Sequence, residues 1–150
     1  MIESFTTNKE ARRLAKKLLA QAKENEPRIT ADLQTIAQEV SAEIVGLENR
    51  FKSEMSFIRK LIDAAGDDLP KLQRKSKGVN DVLRYTFILP FDVYAKGFRQ
   101  TIETLREIGY KIPDNRIWNA WENIETQYDK GYRGINITII SSQRQKFELI

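Results

Sequence analysis

Two acidic residues are the strongest candidates for chemistry in this sequence, and each belongs to a predicted strand. Asp81 stands at the start of one strand, and Glu148 lies between Phe147 and Leu149 in the last one. Two carboxylates that converge from neighbouring strands would form a site for a hard cation. The commoner interpretations are a turn at Asp81 and an exposed strand residue at Glu148. A sequence does not reveal the order of strands in a sheet, so both interpretations stay open.

A second group of polar residues surrounds the start of a predicted helix at Ser53. Its members are cations and hydroxyls: Arg50, Lys52, Ser53, Ser56 and Lys60. A helix N-terminus binds phosphate through its free N–H groups and its dipole. An ordinary capped helix with solvated charges is the commoner alternative.

The segment Tyr128 to Gly134 combines two tyrosines, two basic residues and two glycines before a predicted strand. Tyr132 offers an aromatic face for a base, and Arg133 offers a donor fork for phosphate. The alternative is a glycine-containing turn with a tyrosine that covers the core.

The composition narrows the chemistry further. The chain has no cysteine and no histidine, which excludes disulfides, thiolate metal sites and imidazole catalysis. With 25 basic and 21 acidic residues, its formal charge of +4 favours anionic partners. No segment approaches the roughly 20 apolar residues of a membrane span, and we expect a soluble protein without a signal peptide.

The N-terminal part, residues 1–66, is predicted to be helical. Its apolar residues recur with the spacing of helix faces. Three helices are expected there, from a capping box at Thr7 to Glu24 before Pro27, from Thr30 to Gly46, and from Ser53 to Gly66.

The remainder is predicted to form a sheet. Residues 67–80 read as a mobile basic loop because they hold Pro70, Gly78 and four cations. The elements expected beyond it are a strand Val82 to Leu89, a helix Asp92 to Ile108, a strand Arg116 to Trp121 and a hairpin of Ile135 to Ile139 with Lys146 to Ile150. We therefore predict one α+β domain over residues 1–150, its helical N-terminal half followed by a small, mostly antiparallel or mixed sheet.

The order of these motifs resembles the RelA/SpoT-like synthetase domain, a nucleotide pyrophosphokinase. The resemblance runs from about Thr30 to the last residue and looks closest to the small alarmone synthetases, toxins and prophage-type proteins. The residues that carry it are Arg50-x-Lys52-Ser53-x-x-Ser56-x-x-x-Lys60, Asp81 at a strand start, Gly131-Tyr132-Arg133-Gly134, and Phe147-Glu148-Leu149. It implies a nucleotidyltransferase-like fold.

The same resemblance implies transfer of pyrophosphate from ATP to the 3′-hydroxyl of a nucleotide or of a tRNA end. Asp81 and Glu148 would be catalytic and coordinate Mg²⁺, and Glu148 would also help to deprotonate the attacking hydroxyl. Tyr132 would stack on the acceptor base, and Arg133 would support its phosphates. The ATP phosphates would be held by Arg50, Lys52, Ser53, Ser56 and Lys60.

The implied partners are ATP and the nucleotide or tRNA acceptor, in the cytoplasm and away from membranes. An antitoxin or a second copy of the chain is a further candidate partner. A catalytically inactive nucleotide-binding or protein-interaction module is the alternative function.

Three positions depart from the family pattern. Thr86 stands where the family has an arginine, with Arg84 as the nearest one, and Gly134 and Asn136 stand where alarmone synthetases have serine and histidine. The family also continues beyond the position of Glu148 with a Gln-x-Arg/His-Thr segment and a helix. The resemblance therefore implies a domain truncated at its C-terminus, and the identity of the acceptor does not carry over from the alarmone synthetases.

Overall fold

The structure is a computed structural model that describes residues 2–113, 117–119 and 134–150. Within these ranges the chain forms four helices and five strands. In chain order they are α1 (Ile2–Val40), β1 (Glu43–Val45), α2 (Glu54–Ala65), α3 (Leu69–Lys77), β2 (Arg84–Ile88), α4 (Tyr94–Glu107), β3 (Ile117–Asn119), β4 (Ile135–Ile140) and β5 (Lys146–Leu149). Single 3₁₀ turns at Leu47–Asn49 and Phe91–Val93 precede α2 and α4. This order confirms the predicted α+β class.

Helix α1 is one continuous helix of 39 residues, so the prediction of two helices separated at Pro27 is wrong. Pro27 lies exposed inside it, whereas Ala22, Ile29 and Leu33 are buried. A proline inside a helix costs about 3 kcal/mol. The buried face continues on both sides of Pro27, and its packing offsets this cost. No helix in the described part of the chain is long and apolar enough to cross a membrane.

The two threonines predicted to cap helices lie inside α1 instead. Thr7 is fully buried, and the helix begins before it. The Thr30 hydroxyl donates to Glu26 Oε2 at 2.7 Å and lies 2.7 Å from the Tyr85 hydroxyl. Thr30 therefore connects α1 to the sheet.

Strand β1 was not predicted, because Ile44 fits the apolar stripe of the preceding helix. The helix ends at Val40, and Ser41 follows with a positive φ of 59°. Ile44 then pairs with Phe87 in the antiparallel β1–β2 ladder. A strand of three residues is too short to give a recognisable alternation.

Helix α2 confirms the predicted cap at Ser53, whose side chain accepts from the Ser56 N–H. Helix α3 corrects the predicted basic loop over residues 67–80. The Asp68 side chain accepts from the Lys71 N–H, Pro70 stands in the first turn, and Leu72 is fully buried. Pro70 therefore marks the beginning of a helix, a position where proline is well tolerated.

The sheet has the strand order β1-β2-β5-β4-β3. Strands β2 and β5 are parallel, and the other neighbours are antiparallel, so the sheet is mixed. The predicted β4–β5 hairpin is confirmed. β3 lies within the predicted strand Arg116 to Trp121, while residues 114–116 and 120–133 lie outside the described part of the chain.

The two faces of the sheet differ in polarity. On one face Ile137, Phe147 and Leu149 are buried, and the Tyr85 and Tyr110 rings meet the Phe147 ring edge-on at 5.7 and 6.0 Å. The other face carries half-buried or exposed polar residues. We call it the polar face, defined by Arg84, Asn136, Thr138 and Glu148.

Candidate active site

A short backbone ladder brings Lys52 next to Asp81. The Lys52 N–H donates to the Val82 carbonyl at 2.9 Å, and the Arg84 N–H donates to the Arg50 carbonyl at 2.8 Å. Phe51 and Leu83 face each other across this antiparallel bridge. The segment before α2 is thereby fixed to the segment that leads into β2.

Two lysines hold the Asp81 carboxylate. Lys52 Nζ lies 3.2 Å from Asp81 Oδ2, and Lys60 Nζ lies 3.3 Å from Asp81 Oδ1. The Lys52 and Asp81 side chains are only 15% and 20% exposed, whereas that of Lys60 is half exposed. Each carboxylate oxygen therefore has its own ammonium partner, and we call these three residues the lysine–aspartate cluster.

The electrostatics of Asp81 reflect this arrangement. Burial raises the pKa of its carboxyl, but the hydrogen bonds and charges of Lys52 and Lys60 outweigh burial and hold that pKa below its ordinary value. Asp81 is therefore an anion at neutral pH, held by two cations.

The N-terminus of α2 contributes backbone donors beside this cluster. Ser53 caps the helix by accepting from the Ser56 N–H at 3.1 Å, and both serines are exposed. The first N–H groups of an α-helix have no partner within the helix. Two exposed hydroxyls and a helix N-terminus thus directly follow Lys52 in the chain.

Arg50 is placed differently from the other predicted phosphate ligands. Its Nη2 donates to Glu26 Oε1 at 3.0 Å, and its Nη1 donates to the Leu47 carbonyl at 2.7 Å. The guanidinium also lies 5.2 Å from the centre of the Phe51 ring. Arg50 is therefore engaged with α1 and with the segment before α2.

Glu148 lies on the polar face, in the centre of the sheet. It is opposite Arg84 of β2 on one side and Thr138 of β4 on the other. Asn136 Nδ2 donates to Glu148 Oε1 at 2.8 Å. The strand that carries Glu148 therefore directly adjoins the strand that Asp81 leads into, a relationship the sequence could not reveal.

Arg84 and Asn136 are the residues that sequence reasoning did not assign to the site. Arg84 lies opposite Glu148 in the β2–β5 pairing, and Asn136 donates a hydrogen bond to it. The available signal was alternation, which places Asn136 and Glu148 on the polar side of their strands. Only the pairing of β4 with β5 shows that the two side chains meet.

The donor set can be compared with the needs of Mg²⁺. No group of three or more acidic, histidine or cysteine side chains suited to a metal occurs among residues 2–113, 117–119 and 134–150. Mg²⁺ binds through one or two carboxylates together with substrate phosphates. Asp81 is one such carboxylate, and Asn80 Oδ1 immediately before it is buried without a hydrogen-bond partner. Carboxylate and amide oxygens are the type of ligand that a hard cation arriving with phosphate would use.

Tyr132 and Arg133, the predicted acceptor ligands, lie outside the described residues. Their part in the site stays a prediction. Gly134 and Ile135, which follow them, are buried, and Ile135 opens β4.

Comparison with known proteins adds no relative. No family model matches the chain, and no curated protein or solved structure matches it.

Proposed function

We propose that this chain is a RelA/SpoT-like enzyme of the pyrophosphokinase type, which transfers pyrophosphate from ATP to a 3′-hydroxyl. The observation that carries the proposal is the parallel pairing of β2 with β5. It sets the strand of Glu148 beside the strand that follows Asp81, and Asp81 in turn contacts Lys52 and Lys60. Four residues of the resemblance, distant in sequence, are thus held on adjoining elements.

Binding of the ATP phosphates is assigned to the cluster and the helix start. Lys52 and Lys60 supply two charges, and Ser53 and Ser56 supply exposed hydroxyls at the α2 N-terminus. Positioning and charge neutralisation account for most of the catalysis in phosphoryl-type transfer. Arg50 is left out of this set, because Glu26 and Leu47 engage its guanidinium.

Glu148 is assigned to the acceptor hydroxyl. In the proposed step the 3′-oxygen bonds to the β-phosphorus of ATP, the bond from that phosphorus to the α–β bridging oxygen breaks, AMP leaves, and the hydroxyl proton passes to Glu148. Asn136 orients this carboxylate through its hydrogen bond. Mg²⁺, bound with the phosphates at Asp81 and Glu148, would neutralise the charge that develops on the oxygens.

The acceptor is a nucleotide or a tRNA end, read by Tyr132 and Arg133. Asn136 stands where alarmone synthetases have histidine, so the proposal does not take the acceptor over from those enzymes and includes guanine nucleotides, adenine nucleotides and tRNA. A cytoplasmic location follows from these substrates. If the chain acts as a toxin, an antitoxin is its expected partner, and a second copy of the chain is the other candidate.

A second candidate function is an inactive nucleotide-binding module. The observation that favours it is the engagement of both carboxylates: Asp81 binds two lysines, and Glu148 accepts from Asn136. A module of this kind would bind ATP through Lys52 and Lys60 without turnover.

The experiment is an AMP-release assay with ATP and Mg²⁺, supplied with guanine nucleotides, adenine nucleotides or tRNA as acceptor. We expect AMP with one of these acceptors, and its loss in Asp81→Asn and in Glu148→Gln. The matched controls are Asp63→Asn and Glu103→Gln, exposed acids outside the cluster that make the same charge change. ATP binding without AMP would favour the inactive module, and absence of both AMP and ATP binding would reject both functions.

A further inference from the structure

The lysine–aspartate cluster already contains an anion, and that anion belongs to the protein. Both Asp81 oxygens lie at ion-pair distance from an ammonium group, at 3.2 and 3.3 Å. The ends of a carboxylate placed between two lysines resemble two phosphate oxygens in charge and in hydrogen-bonding capacity. A phosphate that uses these two lysines must therefore compete with Asp81.

The same ion pairs also oppose the binding of a divalent cation at Asp81. The oxygens that could bind it are occupied, and two positive charges lie beside them. Coulomb repulsion and the loss of two ion pairs both oppose binding of the cation alone. Once phosphate oxygens draw the lysines away, Asp81 becomes an available carboxylate beside a new anion.

We propose that Asp81 fills the phosphate-binding position of Lys52 and Lys60 in the ligand-free protein, so that phosphate displaces it and thereby creates the divalent-cation site. Anion and cation then bind with positive coupling, because the phosphate releases the carboxylate that the cation needs. Such coupling is reciprocal: each ligand raises the affinity for the other by the same factor. The choice of phosphate as ligand rests on the proposed function, whereas the competition rests on the two ion pairs.

The proposal makes an unusual prediction for Asp81→Asn. If Asp81 did not compete with phosphate for the two lysines, this variant would leave metal-free phosphate binding nearly unchanged. If Asp81 is an internal competitor, its neutralisation raises the affinity for phosphate in the absence of metal. We expect an increase of about tenfold, within the range of ordinary coupling between two ligands.

The first measurement is calorimetric titration with inorganic tripolyphosphate in the presence of a chelator. Asp81→Asn should bind about tenfold more tightly than the natural chain, while the control Asp63→Asn should change by less than about threefold. Asp63 is an exposed acid on α2, three residues after Lys60, and none of the ion pairs within the described residues includes it. Equal or weaker binding by Asp81→Asn, or no binding by either protein, overturns the proposal.

The second measurement is titration with Mn²⁺ alone, followed by electron paramagnetic resonance. Lys60→Gln removes the more exposed of the two ammonium groups and should raise Mn²⁺ affinity several-fold. Arg59→Gln removes an adjacent exposed cation and should leave it nearly unchanged. Equal Mn²⁺ affinity in the Lys60→Gln and Arg59→Gln proteins contradicts the proposal, and this arm decides the matter if Asp81→Asn does not fold.

Neither measurement depends on turnover. If the chain releases no AMP with any acceptor but both titrations behave as expected, the proposed enzyme fails and the competition stands. The reverse pattern, AMP release without the expected shifts, removes the competition and leaves the enzyme.

Discussion

Arg50 and Glu26 form an ion pair that joins the segment before α2 to the middle of α1, with Nη2 and Oε1 3.0 Å apart. Glu26 also accepts from Thr30, which lies 2.7 Å from the Tyr85 hydroxyl. The pair is therefore one end of a polar chain that reaches the sheet. Its side chains are 31% and 13% exposed, so it is intermediate between a surface pair and a buried one.

This placement predicts that Arg50 stabilises the fold and does not bind phosphate. Arg50→Met should lower the free energy of unfolding by about 1–3 kcal/mol, between the values for exposed and buried pairs. Urea unfolding measures the loss. The affinity for tripolyphosphate should change by less than about threefold, whereas Lys52→Gln should weaken it strongly. A weakening by Arg50→Met as large as that of Lys52→Gln would return Arg50 to the phosphate ligands.

The hydrogen bond from Asn136 to Glu148 predicts a role in positioning the carboxylate. Asn136→Ala removes a neutral donor, which costs about 1 kcal/mol of stability. It should lower the turnover number of the proposed reaction more than it changes the KM for ATP, because Glu148 then samples other rotamers. Asn136→His keeps a donor and should restore part of the turnover. If both variants leave turnover unchanged, orientation by Asn136 is unnecessary.

Pro27 predicts a gain of stability on substitution. It is exposed within α1 and cannot donate to the carbonyl of Lys23, one turn earlier. Pro27→Ala should raise the free energy of unfolding by as much as about 3 kcal/mol. Thermal unfolding gives the change. Pro27→Gly separates the effect of the missing N–H from that of helix propensity, because glycine restores the N–H but has a lower helix propensity than alanine. A fall in stability with Pro27→Ala would mean that the proline sets a bend on which the packing depends.

Two buried tyrosines predict a loss of stability at high pH. Burial, together with the nearby negative charge of Glu26, raises the pKa of Tyr85 to about 12. The hydrogen bond with Thr30 lowers this pKa, but by less. Burial and the hydrogen bond to Asp32 raise the pKa of Tyr110 as well. Both hydroxyls are harder to ionise in the folded chain than in the unfolded chain, where tyrosine titrates near pH 10.

The stabilising contribution of these tyrosines is thus complete below about pH 10 and is lost as the pH rises toward 12. Each group should contribute a slope of about 1.4 kcal/mol per pH unit within that window. Urea unfolding between pH 8 and pH 12, roughly the window defined by these values, measures it. In Tyr85→Phe the free energy of unfolding should fall less steeply above about pH 10, whereas its pH dependence below about pH 10 should match that of the natural chain. An unchanged slope above about pH 10 would contradict the assignment of this loss to Tyr85.

The sequence predicted those elements whose pattern is local. Ile135, Ile137 and Ile139 alternate with polar residues, and β4 follows from them. Pro27 and Pro70 both lead to wrong predictions, because a proline ordinarily indicates the end of a helix at the first position and a loop at the second. At Pro27 the helix continues because Ile29 and Leu33 are buried on its packed face. At Pro70 a helix begins because Asp68 caps its N-terminus, where proline is tolerated.

The site was predictable in its residue types but not in its arrangement. Lys52, Lys60 and Asp81 were all identified, yet their mutual ion pairs depend on the bridge between Phe51 and Leu83. Arg50 could not be separated from them, because its partner Glu26 lies in α1, distant in the sequence. Which of these residues contact one another depends on pairing between distant segments, and the spacing of residues in the sequence does not predict such pairing.

The central position of β5 has a consequence for how the chain acquires its structure. The helices and the β1–β2 ladder can form while the chain is being synthesised, but β2 keeps an unpaired edge until Lys146–Leu149 emerges from the ribosome. Such edges invite pairing with other chains, and contacts between distant segments form slowly. The polar face, with Arg84 and Glu148 side by side, therefore depends on pairing between segments that are distant in the sequence.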